Sequence, residues 1–274
     1  MNLKAIKYGK IQIMTEINSK AGGSKIGQFS ERYLRQLPLL GEEGQFKLAA
    51  ASVFIAGTGG LGSPVATYLA AAGVGRIVLL DGDTVDTTNL NRQFLHHTAD
   101  IGREKAQSGV EKLCALNPEI QISAVCERLT EKNVVRLVGE CDIIVDALDN
   151  DETRRILAEF AVQKGLPYFH AAVSGFSGQF ASFYPKEGPC YFCVFSAAES
   201  KYENPVFPIV GTTAGIIGSM EAGEVIKYIT GKGTSVGQLF IWDGMNNSLN
   251  SIDIKKDENC PVCGKQKQND KRVE

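Results

Sequence analysis

Residues 53–83 read "VFIAGTGGLGSPVATYLAAAGVGRIVLLDGD", and this stretch decides the fold. "SVFIA" (52–56) is a short apolar run suited to a buried parallel strand, and "GLGSPVATYLAAAG" after the glycine turn is rich in helix formers. "RIVLLD" (76–81) supplies a second strand. The three pieces form a strand, helix, strand unit of the length expected for a right-handed crossover. Gly57, Gly59 and Gly62 form the pattern G-x-G-x-x-G. Such a turn brings backbone close to a phosphate at a helix N-terminus. Asp81 follows at the spacing where nucleotide-binding folds hold a ribose. The turn alone leaves two nucleotides open, NAD to carry a hydride and ATP to be broken.

Working outward, the pattern predicts a helix over 103–116, a strand at 120–125, a short helix over 131–139 and a strand at 141–148. Strands alternating with helices imply a mainly parallel sheet covered on both faces. The second half changes character: "LPYFHAAV" (166–173) and "SGQFASFY" (177–184) are joined by a short glycine-containing turn and read as antiparallel strands. A helix over 212–230 ending at Gly231 and strands near 237–242 and 247–254 follow. The expected fold is therefore α/β, a Rossmann-like, mainly parallel sheet with helices on both faces that continues into antiparallel strands. Residues 1–28 read as a flexible leader with Met14 as an alternative start to Met1, 29–264 as one domain with halves at 29–150 and 151–264, and 265–274 as a disordered tail.

Composition narrows the partners. With 43% hydrophobic residues in 274, the chain can bury a substantial core, and a formal charge of -2 offers no whole-chain attraction for nucleic acid or an anionic membrane. Residues 48–75 carry no charge, but six glycines and Pro64 fall among them, so they read as strand, turn and helix rather than a membrane span. The first twenty residues lack the continuous apolar core of a secretory signal, and a cytoplasmic location is the expectation.

Of seven cysteines, four form two C-x-x-C pairs, Cys190 with Cys193 and Cys260 with Cys263. Two such pairs complete a tetrahedral thiolate shell, the arrangement of a closed structural zinc site with no position left for water. A redox disulfide is the rival reading. Cys114, Cys126 and Cys141 lie on predicted helix or strand segments and read as small buried hydrophobes.

Three charged clusters surround the glycine turn in sequence. "DTTNLNRQFLHHTADIGREKA" (86–106) places Arg92 and Lys105 after a strand's C-terminal end, the crevice side of such sheets. "DALDND" closes the next apolar strand with Asp146 and Asp149; a carboxylate there can hold Mg²⁺ beside a triphosphate, whereas the plain alternative is that Asp149 or Asn150 caps the following helix. "SERYLRQLPLL" carries Arg32 and Arg35 on an amphipathic segment whose plain reading is a solvated face.

Taken in order, "RYLRQ", "GTGGLGSP", "LLDGDTVDTTNLNRQF", "IGREKA", "DALDN", "CYFC", "IIGSMEA" and "CPVCG" resemble the ThiF/MoeB/HesA family, relatives of the ubiquitin-activating enzymes, from about Ser30 to Cys263. The resemblance implies an ATP-dependent adenylyltransferase, with 29–150 as the ATP-binding half and 151–264 as the substrate-groove and zinc half. It implies that Gly57, Gly59 and Gly60 make the nucleotide turn and that Asp81 binds the ribose. Asn89, Arg92 and Lys105 would contact phosphates, Asp83 would belong to the same nucleotide-binding set, and Asp149 would hold Mg²⁺. The family's arginine at the position of Arg35 reaches into a partner's site, which implies a homodimer. The implied reaction is attack of a carboxylate on the α-phosphorus of ATP. A carboxylate with a pKa of about 3–4 is already ionised, so no general base is needed. His96, His97 and His170 read as structural or surface residues.

The family's usual substrate is the C-terminal Gly-Gly of a small ubiquitin-like sulfur carrier of ThiS or MoaD type, serving thiamine, molybdopterin or related sulfur transfer. Sulfur-transferring relatives commonly carry a cysteine in the loop after the first zinc pair. Here that loop, 194–213, has none, and Asn204 stands near the expected position. Adenylation of a carrier is the leading expectation. The same chemistry on a small-molecule or peptide carboxylate is second and a non-catalytic homologue third, with an NAD oxidoreductase last.

Overall fold

The computed structural model describes residues 31–184, 186–195, 208–233 and 235–264. The leader at 1–28, the tail at 265–274, Met14 and Asn204 lie outside the described residues.

The first long helix, α1 (Leu37–Ala50), starts beside Pro38 and is kinked at Gly41, where the backbone turns to φ 74°. It continues the "SERYLRQLPLL" segment well past the expected end, because the two glycines of "GEEG" hide its helical period. Strand β1 (Ser52–Ala56) is followed by α2 (Gly62–Ala72), β2 (Arg76–Leu80), α3 (Lys105–Leu116) and β3 (Gln121–Val125). Then come α4 (Val134–Val138), β4 (Ile143–Asp146), α5 (Asp151–Lys164) and the hairpin β5 (Tyr168–Ser174) with β6 (Ser177–Phe183). A short helix α6 (Tyr191–Phe195), the long α7 (Gly211–Thr230), β7 (Gln238–Asp243) and β8 (Ser248–Asp253) complete the order.

Among the described residues, eight strands join one sheet in the order β3-β2-β1-β4-β5-β6-β7-β8. The pairs from β3 to β5 are parallel and those from β5 to β8 antiparallel. Strand β5 therefore belongs to both halves. Every residue of β1 is buried, as its uninterrupted apolar run requires when both faces are covered. Alternate residues serve two cores: Phe54 packs with Ile144, Leu157 and Tyr168, whereas Val53 and Ile55 pack with Leu69, Ile77 and Val145. Full burial of such a side chain contributes about 1.5–3 kcal/mol, so this sheet centre is the rigid base of whatever its loops hold.

Helix ends follow local chemistry. Asn150, rather than Asp149, caps α5 by accepting from the Thr153 amide at 2.9 Å, with Asp151 and Glu152 in the first turn and Lys164 in the last. Gly231 ends α7 in the left-handed conformation, as its position in the sequence suggests.

The strand order reverses between β1 and β4. The chain runs from β1 outward to β2 and β3, then crosses back to β4 on the other side. In open parallel sheets, ligands bind outside the C-terminal strand ends at this switch point. Register brings those ends level, with Ala56 opposite Leu80 on one side and Asp146 on the other. The residues next in sequence are Gly57, Asp81 and Ala147.

Candidate active site at the sheet switch point

The turn after β1 requires glycine at its first position. Gly57 has φ +95°, and a Cβ there would lie 2.6 Å from the carbonyl oxygen of Ala147. A side chain would force the ends of β1 and β4 apart. Among the described residues, the amides of Gly59 and Gly60 have no hydrogen-bond partner. Unpaired amides at the start of α2 suit an anion.

Asp81 is fixed beside this turn. Its Oδ2 accepts from the Thr58 amide and from Thr58 Oγ1, both at 2.9 Å, and its Oδ1 accepts from the Asp83 amide at 3.0 Å. Oδ2 is thereby filled, whereas Oδ1, with one donor, keeps capacity for a further one, such as a ribose hydroxyl.

The remaining expected residues are in differing states. Lys105, at the start of α3, is 7% exposed and places Nζ 3.3 Å from Asp83, which also lies 3.6 Å from the Arg128 guanidinium. Asn89 accepts from the Asp86 amide in a short capping turn. Arg92 donates to the Thr88 carbonyl at 2.8 Å and Asn91 Oδ1 at 3.1 Å, and its Cγ would lie 3.5 Å from a Cβ on Gly60. The arginine thus borders the glycine turn. Asp149 is exposed just beyond β4, and Arg35 is exposed ahead of α1.

Asp146 behaves differently from Asp149. It is fully buried, and its Oδ2 accepts from Arg154 Nε at 2.8 Å, Tyr168 OH at 2.7 Å and His170 Nδ1 at 2.7 Å. Burial alone would raise its pKa, but the Arg154 charge and these donors hold the carboxyl at about 2. Its Oδ1 accepts from the Leu148 amide at 3.1 Å, and Arg154 also donates to the Leu148 carbonyl. Asp146 is therefore committed to shaping the loop that carries Asp149. Burial lowers the His170 pKa, and its Nδ1 hydrogen points at Asp146.

Sequence reasoning did not single out Thr58, Gln93 or the bonding of His96. Gln93 is buried beside the turn, with Nε2 3.3 Å from a Cβ on Gly59, and its Oε1 has no partner among the described residues. Their signal was present in "GTGGLG" and "NRQFLH", but the contacts span distant parts of the chain. His97 is exposed.

The four paired cysteines converge. Their sulfurs lie within 4.8 Å of one another, with Cys190–Cys193 at 3.8 Å, Cys190–Cys260 at 3.6 Å and Cys193–Cys263 at 3.5 Å. A tetrahedron with Zn–S bonds of about 2.3 Å has edges of about 3.8 Å, so the spacing fits zinc. Without a cation, burial and neighbouring sulfurs push the Cys263 thiol up to about 12 and raise Cys190 as well, a crowding that a divalent cation relieves. The Asp257 amide donates to Cys193 Sγ at 3.4 Å. Helix α6, between the first two cysteines and beyond, is tied to α5 by Tyr191 OH to Asp151 at 3.2 Å and by Arg155 to the Phe195 carbonyl at 3.1 Å. Of the other cysteines, Cys141 is buried as expected and Cys114 is half-buried. Cys126 is exposed at the end of β3, a correction to its reading as core: the residue falls just past the last strand position.

Among the described residues, no helix is long and apolar enough to cross a membrane. A sequence model of the ThiF family matches residues 32–262. The chain is 39% identical over 248 residues to a sulfur carrier protein adenylyltransferase of Thermus thermophilus, an alignment covering 85% of this chain and 90% of the relative. It is 38% identical over 237 residues to the sulfur carrier protein ThiS adenylyltransferase of Escherichia coli, covering 85% and 94%. In structure it resembles E. coli MccB crystallised with AMPCPP and MccA, with a TM-score of 0.76, 26% identity and coverage of 86% and 75%.

Proposed function

The chain belongs to the ThiF family, and from that membership we propose that it is an ATP-dependent adenylyltransferase acting on the C-terminal Gly-Gly carboxylate of a ubiquitin-like sulfur carrier protein. The observation that carries the reading is the switch-point crevice. There an anion-ready glycine turn, a carboxylate pre-set for a ribose and the cations Arg92 and Lys105 meet at the level ends of β1, β2 and β4. Both adenylyltransferases described above are named for sulfur carriers.

In this reading the carrier's carboxylate, already ionised at neutral pH, attacks the α-phosphorus and pyrophosphate leaves. The enzyme's task is to neutralise charge on the departing group, and loss of one such preorganised contact costs roughly 10² to 10³ in rate. Arg92 and Lys105 supply cations on the turn side. Arg35, exposed and without an assigned task in its own crevice, suits a homodimer in which each copy completes the other's site. Asp149 would hold Mg²⁺: one exposed carboxylate plus substrate phosphates is the usual donor set for this ion, which supplies Lewis-acid stabilisation of the phosphates. Zinc at Cys190, Cys193, Cys260 and Cys263 would be structural, because four sulfurs close the shell.

With no cysteine in 194–213, a thioester or acyl-disulfide through that loop is unavailable, and sulfur would come from another protein. The same fact, with the likeness to MccB bound to MccA, favours a peptide carboxylate as the second reading. The test is ATP–pyrophosphate exchange with Gly-Gly-ending carriers, read beside intact-mass detection of the adenylated product. Exchange dependent on a carrier is expected. Exchange driven only by other carboxylates would sink the carrier assignment, and no exchange with any would sink adenylation.

A further inference from the structure

The glycine turn is braced from behind. A trans peptide is planar, with its carbonyl and the following N–H directed to opposite sides, and the described chain has no cis peptide. The Thr58 carbonyl and the Gly59 amide form one such unit. That carbonyl faces His96 Nε2 at 3.1 Å, so the Gly59 N–H is aimed the other way. A carbonyl oxygen only accepts, which assigns the hydrogen to Nε2 and leaves Nδ1 to accept from Ser108 Oγ at 3.0 Å. Ser108 Oγ in turn accepts from Lys112 Nζ at 2.8 Å, and the lysine charge rests on Asp100 at 2.5 Å. Thr58, Ser108 and His96 are all buried. Burial pushes the imidazole pKa down, consistent with the neutral ring. Every polar group of Thr58 is thus committed, its amide and hydroxyl to Asp81 and its carbonyl to His96 at 3.1 Å and, at a longer 3.4 Å, to Ser63 Oγ, whose shorter bond of 2.7 Å goes to the Gly59 carbonyl.

We propose that His96 is a positioning residue whose Nε2 hydrogen holds the Thr58 carbonyl and thereby aims the Gly59 amide at the phosphates of the bound nucleotide. This rests on the ATP reading above and gives the buried histidine a part in it. The loop leading to His96 also carries Asn89 and Arg92. One hydrogen bond therefore locks the side-chain half of the phosphate site to its backbone half. Without it the Thr58 carbonyl keeps only the longer contact from Ser63 Oγ at 3.4 Å, and the 58–59 peptide is freer to rotate and turn that carbonyl toward the phosphates.

The test compares His96→Phe, which keeps a ring and removes the hydrogen, with His96→Gln, whose amide can replace the Nε2 donor. ATP binding is measured by calorimetry, and amide hydrogen exchange over residues 57–63 is followed in nucleotide-free protein. His96→Phe should weaken ATP about 10-fold, the order of one buried hydrogen bond, and speed exchange in the turn. Turnover at saturating ATP should stay within about threefold, and His96→Gln should restore affinity to within about threefold. Wild-type affinity and exchange in His96→Phe would overturn the proposal, as would equal weakening in both variants. If His96→Phe does not fold, Ser108→Ala serves: freeing Nδ1 should weaken ATP about threefold, and unchanged affinity overturns the idea. A wild-type protein that binds no ATP, with turn exchange responding as expected, would refute the nucleotide reading and leave the brace standing.

Discussion

Replacing Asp146 by Asn tests whether the buried cluster under the crevice is a charge-locked platform. The substitution keeps the shape and removes the charge. Arg154, whose side chain is 11% exposed, then lies buried without its counter-ion, and Tyr168 and His170 lose the oxygen they share. The native carboxyl sits at about 2 against an ordinary 3.8, a depression that corresponds to roughly 2 kcal/mol. Orphaning a buried partner raises the cost, and about 3–5 kcal/mol is expected. With a urea m-value of roughly 3 kcal/mol/M for a chain of this size, the midpoint should fall by about 1 to 1.7 M. Asp149→Asn, three residues on and exposed, should stay within about 0.5 kcal/mol. The sign with pH is fixed: a depressed carboxyl stabilises fully above its unfolded value and loses that contribution as pH falls through about 2. The gap between wild type and Asp146→Asn should therefore narrow between pH 4 and 2. A difference below about 1 kcal/mol at pH 7, or a gap independent of acid, would refute the reasoning.

Gly57→Ala should destabilise by about 1 kcal/mol or more and weaken ATP binding, because φ is +95° and the new methyl meets the Ala147 carbonyl; thermal melting and calorimetry check both. Arg92→Ala should leave the melting temperature unchanged and cut pyrophosphate exchange roughly 10² to 10³-fold, whereas a full exchange rate would remove Arg92 from the site. Metal analysis should find one zinc per chain. Stripping it with a chelator should lower Tm on the order of 10 °C, since the thiolate shell closes a loop of about 70 residues.

How much of this was legible in the sequence depends on the range of the contact. Strand β1 coincides with its apolar run, and β2 ends one residue short of its expected end, because buried parallel strands announce themselves by continuous hydrophobicity. The start of α5 was legible from its acids and Asn150, yet which of two adjacent residues caps it depended on one backbone conformation. The amphipathic "SERYLRQLPLL" segment signals only the start of α1, because Gly41 and Gly44 interrupt the pattern beyond it, and α6 leaves no periodic signal because five residues are too few. The glycine turn and the paired cysteines were visible as spaced motifs. Asp146 was visible only as a carboxylate at a strand end; its partners Tyr168 and His170 come from the next strand over, and only the pairing of β4 with β5 brings them together. His96 likewise needed the path of the loop across the glycine turn before its bond to Thr58 could be seen.

The thiolate shell also carries information about time. Cys190 and Cys193 precede α7, β7 and β8 in the chain, while Cys260 and Cys263 follow them. A ribosome adding roughly 5–20 residues per second makes the second pair several seconds after the first. Until then half a shell waits, able to hold a cation only loosely. A cation that needs all four sulfurs could be held firmly only once β8 has been made, and it would then latch the segment after β8 to α6. A stalled or clipped product that lacks the second pair would lack the latch.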